Sequence, residues 1–307
     1  MGLTVLNGEG AAMRVGMIGI GGIGGGIAAS LLAKGHQVDG YDRDAKRLAA
    51  FADGGGHACA SAAEAAAHAE IVFACLPSAA ASMETARIVA EAPNVRHYVE
   101  LSTLGRDTIG EIAAIMEGAG KGFLDCPISG GPHIARAGQL SAVIAGNPES
   151  VAAARPAIEA FATRIFVVGD TPGLAQVCKI VNNILSVTAF VASCEAISIG
   201  VKAGADAAAM IDFINVSTGR NSATLEKFPR AILPRTFDYG GPLTIGQKDL
   251  ALFLDLARET KVPSTVGSTV ANMFNILARE LGPDADYSNI YRVFEKWAGL
   301  PDTPRQD

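Results

Sequence analysis

Three stretches of this 307-residue chain put together residue types that can do chemistry. The first is the segment Gly19, Ile20, Gly21, Gly22, Ile23 and Gly24, which follows the β-rich run MRVGMIGI and opens a helical pattern. Gly19, Gly21 and Gly24 give G-x-G-x-x-G, whose glycines permit a tight turn, close approach to a pyrophosphate, and close helix–strand packing. A helix N-terminus there offers free N–H groups and a positive dipole end to phosphates. Asp42 closes the next β-rich run, QVDGYD, eighteen residues after Gly24. Its carboxylate can accept both ribose hydroxyls of NAD and repel the 2′-phosphate of NADP. Arg43 beside it can compensate, so NAD is expected and NADP stays admissible.

The second stretch is DCPISGGPHIARAGQLS, Asp125 to Ser141. Ser129, Gly130 and Gly131 follow a short apolar run. An isolated Ser-Gly-Gly is an ordinary surface turn; the other reading leaves three main-chain N–H groups open to an anion. The third is GLAQVCKIVNN, in which Lys179 and Asn183 are four apart and share a face of any helix built there. Taken alone, Lys179 reads as a lysine snorkelling along an amphipathic helix.

The elements that must hold these residues alternate. Apolar runs such as EIVFACLP, RHYVELST and GFLDCPISGG are separated by helix-like segments, among them TIGEIAAIMEGAG. That rhythm predicts an α/β fold with a Rossmann-type parallel sheet and right-handed crossovers. Near Gly173 the rhythm changes. One long, mostly apolar helix is expected over 173–202, with helical patterns continuing to Trp297. The expected organisation is an extension over 1–12, a dinucleotide-binding domain over 13–172, an all-helical domain over 173–299 and a flexible tail over 300–307.

Composition narrows the function classes. A net charge of −6 and no basic block argue against a nucleic-acid partner. Five cysteines, Cys59, Cys75, Cys126, Cys178 and Cys194, form no C-x-x-C pair. This fits reduced thiols in a cytoplasmic protein, and no metal-ligand spacing is visible. Val15–Ala33 carries no charge, but its seven glycines suit a strand, turn and helix better than a membrane span. The start MGLTVL lacks the Ser or Thr of a myristoylation signal. No membrane partner is expected.

Taken together, five motifs resemble the β-hydroxyacid dehydrogenases, the family of 3-hydroxyisobutyrate dehydrogenase and tartronate semialdehyde reductase. The resemblance runs from Met13 to about Gly299. DCPISGG is similar to the family's substrate-binding motif, which implies that Ser129, Gly130 and Gly131 grip a substrate carboxylate. GLAQVCKIVNN is similar to its catalytic motif, which implies that Lys179 is the general acid/base and that Asn183 holds the substrate. QKDL implies that Lys248 reaches the cofactor. CLPS and ELST imply that Leu76, Pro77 and Thr103 lie beside the nicotinamide half. A lysine in the first two turns of a helix, and buried, should have a lowered pKa, which suits proton transfer near neutral pH.

The resemblance thus implies hydride transfer between NAD(P) and a small β-hydroxyacid or its semialdehyde; the unusually apolar helical half predicts a homodimer or homotetramer. An imine reductase-like enzyme and a non-catalytic dinucleotide-binding dimerisation module are the alternatives; the retained lysine disfavours both. Three positions depart from the family pattern. Ala175 replaces a glycine before the lysine, Ala81 an asparagine after Leu-Pro, and Gly241 an aromatic residue seven before Lys248. The last suggests a roomier pocket, which His133 and Arg220 could line, although each reads as an ordinary surface or capping residue.

Overall fold

A computed structural model describes residues 12–301. The expected extension at 1–12 and the tail at 300–307 lie almost wholly outside the described residues. Contacts divide the chain into two compact units, one ending at Lys179 and the other beginning at Ile180. The join expected at 172/173 falls at the start of the long helix, and the contact boundary falls inside that helix.

The first unit holds nine strands: β1 (Arg14–Ile18), β2 (Gln37–Tyr41), β3 (His57–Ala58), β4 (Ile71–Ala74), β5 (His97–Glu100), β6 (Gly122–Asp125), β7 (Ile128–Ser129), β8 (Leu140–Gly146) and β9 (Ala162–Gly169). Its helices are α1 (Gly22–Ala33), α2 (Ala45–Asp53), α3 (Ala62–Ala67), α4 (Ala79–Ala90), α5 (Arg106–Gly118), α6 (Pro132–Arg136) and α7 (Pro148–Phe161). The sheet runs β3-β2-β1-β4-β5-β6-β8-β7, with β9 on the far edge of β8. Strands β3 through β6 are mutually parallel, as alternation of strand and helix predicts.

Side chains of the central strands alternate between two cores. Val15, Met17, Phe73, Val99 and Leu124 enter one, with Ile27 and Leu31 of α1 and Phe161 of α7. Ile18, Val72, Tyr98 and Phe123 enter the other, with Ile109, Ile112 and Met116 of α5. A strand buried on both faces has no polar side to show, which is why these segments read as continuous apolar runs.

The sheet departs from the parallel pattern past β6. GFLDCPISGG is not one strand: Cys126 and Pro127 separate β6 from β7, and both pair antiparallel with β8. Pro127 has no N–H to extend a ladder, but its carbonyl accepts from Val143 N–H at 3.1 Å. The kink turns the chain so that Ser129, Gly130 and Gly131 leave the sheet and lead into α6.

Helix α8 (Leu174–Lys202) begins one residue after the expected start. By length and composition it could cross a bilayer. Beyond Ile180, however, its Ile184, Val187, Phe190, Cys194 and Ile197 pack into the core of the second unit. That unit continues with α9 (Ala207–Asn215), a π-helix at Ala223–Ile232, α10 (Leu243–Thr260), α11 (Thr265–Leu281) and α12 (Ile290–Trp297). Its core is largely aromatic, with Phe190 stacked on Tyr287 and Phe228 edge-on to Tyr291. No strand belongs to it among the described residues, so it is all-helical as expected.

Candidate active site

The glycine loop has the shape its sequence demands. Gly19 sits at φ 90°, a left-handed conformation that favours glycine. A Cβ at Gly19 would overlap the Cys75 carbonyl oxygen, and one at Gly24 would overlap the Gly19 carbonyl oxygen. Side chains are therefore excluded, and the bare turn faces a cleft of about 660 Å3. Gly19, Gly21, Gly22, Ile23 and Gly24 line it, together with Asp42, Arg43, Leu76 and Pro77. Ile20 does not: its side chain is buried in the core, and its N–H donates to Asp42 Oδ2 at 2.7 Å. The other carboxylate oxygen of Asp42 accepts from Asp44 N–H at 2.8 Å. Main-chain donors thus fix the acid at the mouth of the loop and leave lone pairs on both oxygens. A dinucleotide fits this donor set: a side-chain-free turn at a helix N-terminus for its phosphates, and an oriented carboxylate for its ribose.

Sequence reasoning missed three further charged side chains of this cleft. Arg47 and Asp44 come from the start of α2 and Glu84 from α4. Arg43 Nη2 pairs with Glu84 Oε2 at 2.7 Å, and Arg47 Nε with Asp44 Oδ2 at 3.5 Å. Arg47 and Asp44 were legible as neighbours of Asp42. Glu84 was not, because only the fold brings α4 across from the end of β2.

Thr103 is half-buried in the loop after β5 and does not line that cleft. Its loop is held by a buried polar cluster. Ser102 Oγ accepts from Leu76 N–H at 2.8 Å, which ties the Leu76–Pro77 loop to it. Glu100 Oε1 accepts from Ser102 N–H at 3.0 Å and Glu100 Oε2 from Tyr98 O–H at 3.1 Å. Burial lifts the Glu100 carboxyl to about 7, against the lowering effect of these hydrogen bonds.

Ser129 is half-buried at the end of β7, where it faces Ser141 of β8. Gly130 has φ 134°, and Gly131 caps α6. His133 and Arg220 are both exposed. Lys179 is half-buried, the sixth residue of α8. Asn183 lies one turn further along the helix, past the unit boundary. In the second unit Asn183 Nδ2 donates to Asp249 Oδ2 at 2.8 Å, and Lys248 Nζ lies 3.1 Å from Asp249 Oδ1. Asp249 therefore fixes the amide of Asn183 and neighbours Lys248. It stands in the QKDL motif but was not singled out from sequence.

Comparison with known proteins identifies the family. The family model for the NAD-binding domain of 6-phosphogluconate dehydrogenase matches residues 14–169. That for the NAD-binding region of NADP-dependent 3-hydroxyisobutyrate dehydrogenase matches residues 173–294. A 3-hydroxyisobutyrate dehydrogenase of Pseudomonas aeruginosa is 30% identical over 293 residues, covering 91% of this chain and 98% of the relative. An L-threonate dehydrogenase of Cupriavidus necator is 30% identical, covering 92% and 96%. The solved 3-hydroxyisobutyrate dehydrogenase of Mycobacterium tuberculosis with L-serine superposes with a TM-score of 0.83 at 27% identity, covering 92% of this chain and 99% of that one. The chain belongs to the β-hydroxyacid dehydrogenase family and is an NAD(P)-dependent oxidoreductase acting on hydroxyacids.

Proposed function

We propose that the chain oxidises a short β-hydroxyacid, or reduces its semialdehyde, with Lys179 as general acid/base and NAD as the preferred cofactor. One observation carries the reading. The glycine loop, Asp42, the Leu76–Pro77 loop, Thr103 and Asp125 all sit at the carboxyl ends of the parallel strands β1, β2, β4, β5 and β6. Open α/β sheets bind ligands at that edge. Asp125 also anchors the start of α8: its Oδ2 accepts from Gly173 N–H at 2.9 Å and from Gln176 N–H at 3.1 Å. The edge that gathers the cofactor residues therefore also fixes the helix turn carrying Lys179.

When bound, the nicotinamide accepts or supplies the hydride. Lys179 Nζ takes the hydroxyl proton as the alcohol is oxidised and returns it to the carbonyl oxygen in reduction. The Ser129 hydroxyl and the N–H groups of Gly130 and Gly131 hold the substrate carboxylate. The substrate class follows relatives named for 3-hydroxyisobutyrate and L-threonate. Five unpaired thiols support a cytoplasmic setting.

A panel of short β-hydroxyacids, and of the matching semialdehydes, tests this by NADH absorbance with both cofactors. Turnover of at least one carboxylated substrate is expected, together with weaker activity on its methyl ester. A preference for the ester, or turnover of imines alone, would contradict the reading.

A further inference from the structure

Gln176 is completely buried one turn before Lys179, and its amide has no unused hydrogen-bonding capacity. Its Oε1 accepts from Leu104 N–H at 2.9 Å and from Gly105 N–H at 3.1 Å. Its Nε2 donates to Ser102 carbonyl oxygen at 3.1 Å and to Asp125 Oδ1 at 2.7 Å. An amide has two acceptor sites and two donor hydrogens, so all four are taken. Turning the amide over would set its NH2 against two N–H groups and its oxygen against two acceptors. One orientation is allowed.

The groups it holds are the main chain on both sides of Thr103. Ser102 precedes that residue; Leu104 and Gly105 follow it. On the other side, Asp125, also completely buried, receives Gln176 through both its main-chain N–H and its amide. Gln176 thus links the Thr103 loop, the end of β6 and the first turn of α8. A fully satisfied buried network has one low-energy geometry, because any slip leaves a buried polar group unpaired.

We infer that Gln176 is a positioning residue for catalysis: with Asp125 it sets the distance and angle between Lys179 and the Thr103 loop. The inference rests on Lys179 being the acid/base and deepens that reading. Proton transfer depends steeply on placement, and an error of about 1 Å costs on the order of a hundredfold. A helix start held only by its own hydrogen bonds frays; this one is tied by six bonds to the end of β6 and the loop after β5.

The test uses the full chain and three variants, Gln176→Ala, Asp125→Asn and Lys179→Ala. Gln176→Ala should lower kcat roughly tenfold or more, while KM for the hydroxyacid and Kd for NADH, read by fluorescence, stay within about twofold. The pH profile of kcat should also move, because Lys179 no longer meets the reacting oxygen in one geometry. A purely structural role would lower the melting temperature and leave kcat per folded molecule and its pH profile unchanged. Asp125→Asn keeps the shape and replaces one acceptor, so it should show a smaller fall of the same kind even where Gln176→Ala does not fold. Wild-type kcat with an unshifted profile in a folded variant, beside an inactive Lys179→Ala, overturns the positioning role alone. Normal turnover in Lys179→Ala overturns both readings.

Discussion

At the scale of single residues, the acid at the mouth of the glycine loop was legible and its setting was not. Asp42 follows from strand pattern and spacing, since a carboxylate at the end of the second strand needs only local sequence to be placed. Glu84 and Gln176 became visible only once α4 and α8 were folded against other elements. The charges around Asp42 bear on the choice between NAD and NADP. Asp42, Asp44 and Glu84 face Arg43 and Arg47 in the same cleft, and both guanidinium groups already have carboxylate partners. A 2′-phosphate would have to displace one of these pairs and meet the remaining acids. Higher kcat/KM with NAD than with NADP is therefore predicted, and better performance with NADP would show that Arg43 prevails. Glu84→Gln frees Arg43. Because the pair is exposed, the gain in NADPH affinity should be modest, roughly two- to fivefold, with NADH affinity unchanged.

At the scale of elements, periodicity found the parallel strands and the long helix because each is continuous and strongly apolar. It missed the antiparallel edge because β7 has two residues and its separation from β6 depends on Pro127. It could not see what the strand ends do for one another. Glu100, at the end of β5, is completely buried and holds Ser102, which in turn holds Leu76. Its carboxyl is lifted to about 7, chiefly by burial. A group whose folded pKa is raised contributes stability that is complete below its unfolded pKa and lost as pH rises through the folded one. Glu100 should therefore cost the fold progressively more between about 4.5 and about 7, and a constant amount above. Urea unfolding of wild type and Glu100→Gln across that window tests this: the variant should gain on wild type as pH rises. Parallel curves would show that Glu100 does not titrate there.

At the scale of the whole molecule, the two-part organisation was legible from the change of rhythm near Gly173, whereas the polar anchoring of α8 was hidden by its apolar composition. That helix leaves Val181, Leu185 and Ile199 exposed, and Phe213 and Val216 stand exposed at and just past the end of α9. Apolar surface of this extent on the second unit predicts self-association. Light scattering at micromolar concentration should give a dimer or larger, and Leu185→Glu should shift it toward monomer; a wild-type monomer would contradict the prediction. Hydride transfer with Lys179 as its proton partner is tested most directly by single-turnover absorbance of the Lys179→Ala chain with NAD and its best hydroxyacid. The expected result is a rate of NADH formation lower by about a hundredfold or more, with NADH binding nearly intact and wild-type oxidation falling at low pH, where the lysine already holds its proton. Near-normal single turnover in Lys179→Ala at the pH optimum would contradict it.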